Sequence, residues 1–581
     1  MKKVFECLKP YIPFMLLGIL FTFGQAMCNL YLPNLMSDIV NNGIVGQDLN
    51  EVYRYGMYML LVTLGFMLCA IISVFIASRV SSGFGAKLRK SIYSKVQSYS
   101  LHEYKKMSTS SLITRTTNDV MQVQQLTLMS MRMMINAPIM CIGGIIMAVS
   151  KNLKLSLLFV VVIPILFVII LMLAKKILPL FTALQTKTDR LNQVIREKLN
   201  GVRVIRAFGT GEYERKRYDM ANKDIYDVSL KAGYKMAILM PLVMFVINFS
   251  SVMLVWSGSS LIDQNLIQIG DMMAFMQYAI QVLFSILAVT MLFVMIPRAI
   301  VSIKRINEVL ELESSVKDSG KDITYDDIKE KGKIEFIDAT FQYADGDEPV
   351  LSDMNFTINK GETVAILGVT GSGKTTLLNL IMRFYDTTGG KIKIGGKDIK
   401  DIPIHVLRDM IGYVPQKAVL FSGTIKENIK YGKEDATDEE VKEAATIAQS
   451  IDFINETEGK FDAKVAQGGT NFSGGQKQRL SIARAIVKKP DIYLFDDSFS
   501  ALDFQTDQKL REALNKNVKG ATVIIVAQRV STVLNADKIL FLENGKIIAQ
   551  GTHKELFENC KSYRDVVLSQ ITEEEATRNA R

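Results

Sequence analysis

Six stretches without a single Asp, Glu, Lys or Arg, at about 12–36, 57–78, 133–150, 155–174, 236–262 and 272–297, limit what this chain can fold into. A helix needs about 20 residues to cross a hydrocarbon core, and each stretch is near that length. In lipid the backbone must satisfy its own hydrogen bonds, so helices are the expected form. The uneven placement of apolar residues also reconciles a mean hydropathy of +0.18 with a charged fraction of 22%. After about residue 320 the composition is that of an ordinary globular domain. Only Lys151 to Lys154 separate the third and fourth stretches, which predicts a tight helical hairpin.

Orientation follows from the basic residues. Segment 79–131 carries Arg79, Lys87, Arg89, Lys90, Lys95, Lys105, Lys106 and Arg115, and segment 175–235 is richer still. The opposite loops are short and hold Asp38, Asp48, Glu51, Asp263 and Asp271, with Lys151 and Lys154 against the trend. The positive-inside rule places the two long basic segments in the cytosol, and it accounts for the net charge of +10 without a nucleic-acid partner. Leu191, Val194, Ile195, Leu199 and Val202 recur at helical spacing, so the membrane helices are expected to continue into the cytosol. The turns Met107 to Ile113 and Gly209 to Arg215 are candidate contacts with another domain. Five scattered cysteines indicate neither a disulfide framework nor a metal knuckle.

A charge-free membrane path offers no carrier for ion coupling, so the energy is expected from ATP. Asn248, Gln277 and Met276 are candidates for a pliable, weakly polar cavity that takes apolar or amphipathic cargo. Ordinary helix-packing and lipid-facing surface is the competing reading.

The stretch Gly368 to Thr376 reads Gly-Val-Thr-Gly-Ser-Gly-Lys-Thr-Thr, behind an apolar strand, Thr363 to Leu367, and ahead of a helical pattern. This is a P-loop in its required context. Gly368, Gly371 and Gly373 let the backbone curl, so that N–H groups along Thr370, Ser372 and Thr376 converge on phosphates. Lys374 is expected to reach the β- and γ-phosphates, and Thr375 to ligate Mg²⁺. Farther on, Ile492 to Phe495 form a buried strand that ends in Asp496 and Asp497, which suits Asp496 to a Mg²⁺-associated role. Ser473, Gly474, Gly475 and Gln476 open a helix and offer a second anion-binding start, with a plain N-cap as the simpler alternative. Tyr343 can stack on a base or serve as an edge-strand tyrosine.

The order Tyr343, Gly368 to Thr375, Gln416, Ser473 to Gln476, Asp496 and Ser500-Ala501-Leu502-Asp503 resembles the nucleotide-binding domain of ABC transporters. With six spans ahead of it, and Glu197 to Phe208 in the second long cytosolic segment, the chain resembles the exporter type. The resemblance implies an α-helical membrane domain of six transmembrane helices with long cytosolic extensions, over 1–300. A linker at 301–331, an α/β P-loop ATPase domain at 332–570 and a flexible tail at 571–581 are expected to follow. It also implies ATP and Mg²⁺ as cofactors and head-to-tail pairing, with each ATP between one P-loop and the other chain's signature, Ser473 to Gln476 here. Gln416 is implied to join the metal and catalytic groups and to link them to coupling helices in the cytosolic segments.

Departures from the family pattern sharpen this reading. Asp497 stands where the family usually has a catalytic glutamate, and Gln528 stands at the switch histidine. Gln528 can hydrogen-bond a phosphate but cannot become cationic. Gln467 replaces a common glutamate ahead of the signature, and Phe472 its usual leucine. The pattern resembles the degenerate-site half of a heterodimeric bacterial multidrug exporter, in the cell membrane with its ATPase domain in the cytosol. Its partner would carry the glutamate and the histidine, and its cargo would be an amphipathic small molecule. Alternatives are a homodimeric lipid or peptide exporter with slow hydrolysis through Asp497, or a membrane ATP sensor that moves nothing.

Overall fold

The computed structural model describes residues 2–578. The chain divides into two compact units, one of Met1–Gln97 with Thr109–Leu312 and one of Ser98–Ser108 with Glu313–Arg581.

The first unit is helical. Its long helices include Ile12–Asp38, Leu49–Gln97, Leu153–Asn200, Gly211–Asp263 and Ile269–Glu311. Among the described residues, six helical stretches are long and apolar enough to cross a membrane. Leu49–Gln97 has 49 residues. At 1.5 Å rise per residue, such a helix runs to about 70 Å, more than twice the roughly 30 Å hydrocarbon core, so the cytosolic extension follows from length alone. The hairpin forms as expected: Asn152 leaves the helical region and its side chain accepts from Leu155 N at 3.1 Å, capping the next helix.

Polar residues at the ends of these helices are paired. Lys151, which runs against the charge trend, donates to Asp271 Oδ1 at 2.8 Å, and Ser37 donates to the same oxygen at 2.8 Å. In the apolar core, Tyr278 is fully buried and donates to the Leu30 carbonyl at 3.0 Å. That bond satisfies a hydroxyl which would otherwise cost the unit its desolvation.

In the second unit, a six-stranded sheet runs in the order Lys546–Gly551, Lys538–Glu543, Thr363–Gly368, Thr522–Ala527, Ile492–Asp496 and Ile411–Val414. Four of the five strand pairings are parallel, and the edge strand Lys546–Gly551 alone pairs antiparallel. Ile492–Asp496 and Thr522–Ala527 are buried throughout, as strands covered on both faces must be. A smaller antiparallel sheet follows the order Leu351–Ile358, Ile334–Phe341, Gly389–Ile394 and Lys397–Asp398.

Two boundaries differ from expectation. The linker expected from 301 begins later, because the last long helix continues to Glu311. Ser302, Ile306, Val309 and Leu310 are buried on one helical face whose period is masked by the charged residues between them. The expected tail at 571–581 contains a helix, Glu573–Arg578, with Ala576 buried; residues 579–581 lie outside the described ones. Ser98–Ser108, which overlaps the start of the candidate contact turn Met107 to Ile113, belongs to the second unit. Ser100 and Glu103 cap its helix Leu101–Met107 reciprocally, and Glu103 Oε1 accepts from Ser315 N at 3.1 Å. Although burial pushes the Glu103 carboxyl up, hydrogen bonds from Ser100 and Ser315 hold it below the usual carboxylate range. The other turn, Gly209 to Arg215, is exposed except for Glu214, with Phe208 beside it 78% exposed.

Candidate nucleotide site

Strand register assembles the site. Leu367 pairs with Ala527, and Val526 with Asp496, so the chain leaves three adjacent parallel strands at one edge of the sheet. The P-loop, the pair Asp496-Asp497 and the segment from Gln528 therefore emerge together. In open parallel sheets this carboxyl edge is where ligands bind.

The loop opens into the helix Lys374–Ile381, and Gly373 caps its start at φ 98°. A Cβ there would come within 2.7 Å of Leu351 Cδ2, so both conformation and space call for glycine. Gly371 also has positive φ, 87°, but open space in front of it. Gly368 is half-buried, Val369 and Thr370 are exposed, and Thr376 is buried. The Lys374 amine curls back onto the carbonyls of Gly368 at 2.7 Å and Val369 at 2.8 Å. Burial lowers its pKa, opposed by the nearby charges of Asp497 and Asp496. Ser372 Oγ is buried with no hydrogen-bond partner. A buried cation, an orphaned hydroxyl and an open glycine backbone at a helix start fit a polyphosphate.

Thr375 donates to Asp496 Oδ1 at 3.0 Å, which brings together two of the three residues expected at a metal. The third, Gln416, is turned instead toward Asp497 Oδ2 at 3.3 Å. Among the described residues no cluster of three or more His, Cys, Asp or Glu could hold an ion. A hydroxyl and one carboxylate fit Mg²⁺, which takes few protein ligands and completes its octahedron with phosphate and water oxygens.

Asp497 sits at φ 46°, a left-handed conformation uncommon for a residue with a Cβ. Its Oδ2 accepts from Gln528 Nε2 at 3.1 Å as well as from Gln416. Burial raises the pKa of both Asp496 and Asp497; hydrogen bonds from Thr375 and Gln416, respectively, oppose this. None of the three histidines stands at position 528; His553 is buried, with its Nδ1 2.7 Å from Tyr563 Oη.

Tyr343 is half-buried, within hydrogen-bond distance of Thr376 Oγ1 at 3.0 Å, and edge-on to Phe341 and Tyr385. The Lys105 amine lies 5.8 Å from its ring centroid. Ser473 and Gln476 form a reciprocal capping box, with Ser473 N donating to Gln476 Oε1 at 2.9 Å, and the helix Gly474–Val487 follows. Ser473 and Gly474 are exposed, with Gly475 half-buried. Sequence reasoning missed Arg529, which donates to the Ser500 carbonyl at 3.3 Å, and Gln570, which holds the backbone around Gln528. No local pattern marks either, since the fold alone brings them to the site.

The ABC transporter transmembrane region family matches residues 15–287, and the ABC transporter family matches residues 351–500. Rv1273c of Mycobacterium tuberculosis, an uncharacterized ABC transporter ATP-binding protein, is 40% identical over 568 residues, 97% of each chain. The probable multidrug resistance ABC transporter ATP-binding/permease protein YheI of Bacillus subtilis is 35% identical, over 80% of this chain and 79% of its own. The ATP-dependent lipid A-core flippase of Hahella chejuensis is 34% identical, over 86% of this chain and 85% of its own. A bacterial Atm1-family ABC exporter solved with ATP bound shares the fold at TM-score 0.79, with 24% identity over 97% of this chain and 99% of that one. Six membrane-crossing helices and an ATPase unit in one polypeptide, with relatives along nearly its whole length, show that this chain belongs to the ABC transporters, as an exporter subunit of the cell membrane with a cytosolic ATPase domain.

Proposed function

We propose that this chain is one half of a heterodimeric ABC exporter for amphipathic compounds, and that its own P-loop forms a site that retains ATP and hydrolyses it poorly. The observation that carries the reading is the environment of Asp497. Its side chain is one methylene shorter than the glutamate of the family, and one of its oxygens is taken up by the amides of Gln416 and Gln528. A general base needs a free lone pair aimed at the water it activates. Displacement of about 1 Å costs on the order of a hundredfold in rate, and shortening alone approaches that distance.

Binding is the part of the task left intact. Gly368, Thr370, Gly371, Ser372, Gly373, Lys374 and Thr376 hold the phosphates, and Tyr343 packs on the base. Thr375 and Asp496, with Gln416 once it turns from Asp497, would hold Mg²⁺, which would supply neutralising charge to the phosphates. With a neutral amide at position 528, no imidazolium balances charge that develops on the γ-phosphate. Ser473, Gly474, Gly475 and Gln476 present a helix start to the nucleotide of the partner, and hydrolysis proceeds mainly there.

Cargo chemistry is supported by the membrane unit and by two of the relatives, one named for multidrug resistance and one for lipid A-core flipping. Met276 joins Ser251, Val252, Val255, Trp256 and Ser259 around an open groove, and Asn248 and Gln277 are exposed on the single chain. Dye movement into sealed vesicles tests the assignment. Transport that survives Asp497→Asn but stops when the partner's glutamate is replaced supports it. Loss of all transport on Asp497→Asn alone contradicts it.

A further inference from the structure

The strand Thr522–Ala527 ends one residue before Gln528, so the backbone beyond it has left the sheet and needs other partners. Gln570 supplies two of them. Its Nε2 donates to the Gln528 carbonyl at 3.0 Å, and its Oε1 accepts from Val530 N at 2.9 Å. One amide thus closes on the backbone on both sides of Arg529, taking the place a neighbouring strand would have. Arg511 secures the carbonyl three residues on, donating to Ser531 O at 2.9 Å while pairing with Asp507 at 3.0 Å. Of these partners, Gln570 is the one bonded to the residue whose side chain reaches Asp497.

Gln570 is itself firmly placed. It follows the helix Lys561–Leu568, whose Tyr563 and Val567 are fully buried. Tyr563 Oη lies 2.7 Å from His553 Nδ1, and His553 Nε2 lies 3.2 Å from the Ala576 carbonyl, which ties three C-terminal helices together. The Gln570 side chain is exposed, so its loss removes two hydrogen bonds without opening the core.

We propose that Gln570 is a positioning residue: it sets the backbone at 528–530 so that the Gln528 amide meets Asp497, and through it the C-terminal helices govern how long nucleotide stays at this site. This rests on the reading of a retentive site given above, and the two separate in one experiment. In the purified transporter, with the partner's P-loop lysine replaced so that only this site loads, release of a fluorescent ATP analogue is followed for wild type, Gln570→Met, Gln570→Glu, Gln528→Met and the double variant Gln570→Met with Gln528→Met. Gln570→Met is expected to speed release about three- to tenfold, the scale of one or two hydrogen bonds. Gln570→Glu, which can still accept from Val530 N but sets a carboxylate oxygen against the Gln528 carbonyl, is expected to speed release at least as much. In the Gln528→Met background, Gln570→Met adds nothing further. The absolute wild-type rate tests retention, whereas the ratios test positioning. Unchanged release in Gln570→Met, or an effect of equal size in both backgrounds, overturns the proposal.

Discussion

Gln528 donates from Nε2 to Asp497 Oδ2 at 3.1 Å, and this bond ties the two residues that most set the site apart from the usual pattern of its family. Each departure makes sense of the other. A glutamine can occupy the carboxylate as a neutral donor, and the shorter side chain at a left-handed backbone position leaves that carboxylate within reach.

The proposed retentive site predicts that repair requires both positions. With the partner's catalytic glutamate removed, Asp497→Glu or Gln528→His alone is expected to raise ATP turnover only slightly. The double change is expected to raise it by about a hundredfold or more, the usual scale of a positioned general base. Phosphate release by the paired transporter measures this, and an increase no larger than the product of the single effects argues against coupling.

Lys374→Ala separates binding from turnover. It removes charge-assisted hydrogen bonds worth about 1.5–3 kcal/mol, so nucleotide affinity at this site falls about ten- to a hundredfold. Equilibrium binding of an ATP analogue, read in a background without the partner's P-loop lysine, checks the value.

The Asp497 carboxyl gives a pH signature. Burial raises its pKa in the folded chain, so its contribution to stability is present in acid and is lost as pH rises through the folded pKa. Asp497→Asn does not titrate. Its melting temperature in nucleotide-free protein should exceed that of wild type at neutral pH, with the gap closing toward acid pH.

Glu103 behaves in the opposite sense. It is 3% exposed and serves Ser100 and the Ser315 amide. With its folded pKa depressed, its contribution is present above the unfolded pKa and lost as pH falls through the folded one. Glu103→Ala leaves buried donors unsatisfied, at about 1–3 kcal/mol, and loosens 98–108. Limited proteolysis should nick that segment several-fold faster in the variant.

What the sequence made legible was local in range. The P-loop strand and helix, the buried strand Ile492–Asp496 and the cap at Ser473 each declare themselves within a dozen residues, because turn glycines, alternation and capping chemistry act at that distance. Contacts made by folding were not legible. Gln570 meets a backbone 42 residues away, and Ser315 meets Glu103 across 212. The continuation of the last membrane helix to Glu311 was hidden because a half-buried helix outside the membrane carries charges on its wet face. The helix at Glu573–Arg578 was concealed by its acidic composition, since its anchor is one buried alanine and a carbonyl.

The central claim is that this chain holds ATP while a partner hydrolyses its own. ATP turnover by the purified chain alone, beside the same chain paired with its candidate partner with and without the partner's catalytic glutamate, tests it most directly. The account predicts a nearly inactive lone chain and a pair whose turnover vanishes with that glutamate. A lone chain that self-associates and hydrolyses ATP at the rate of the pair contradicts it, and assigns the work to Asp497 in a homodimer.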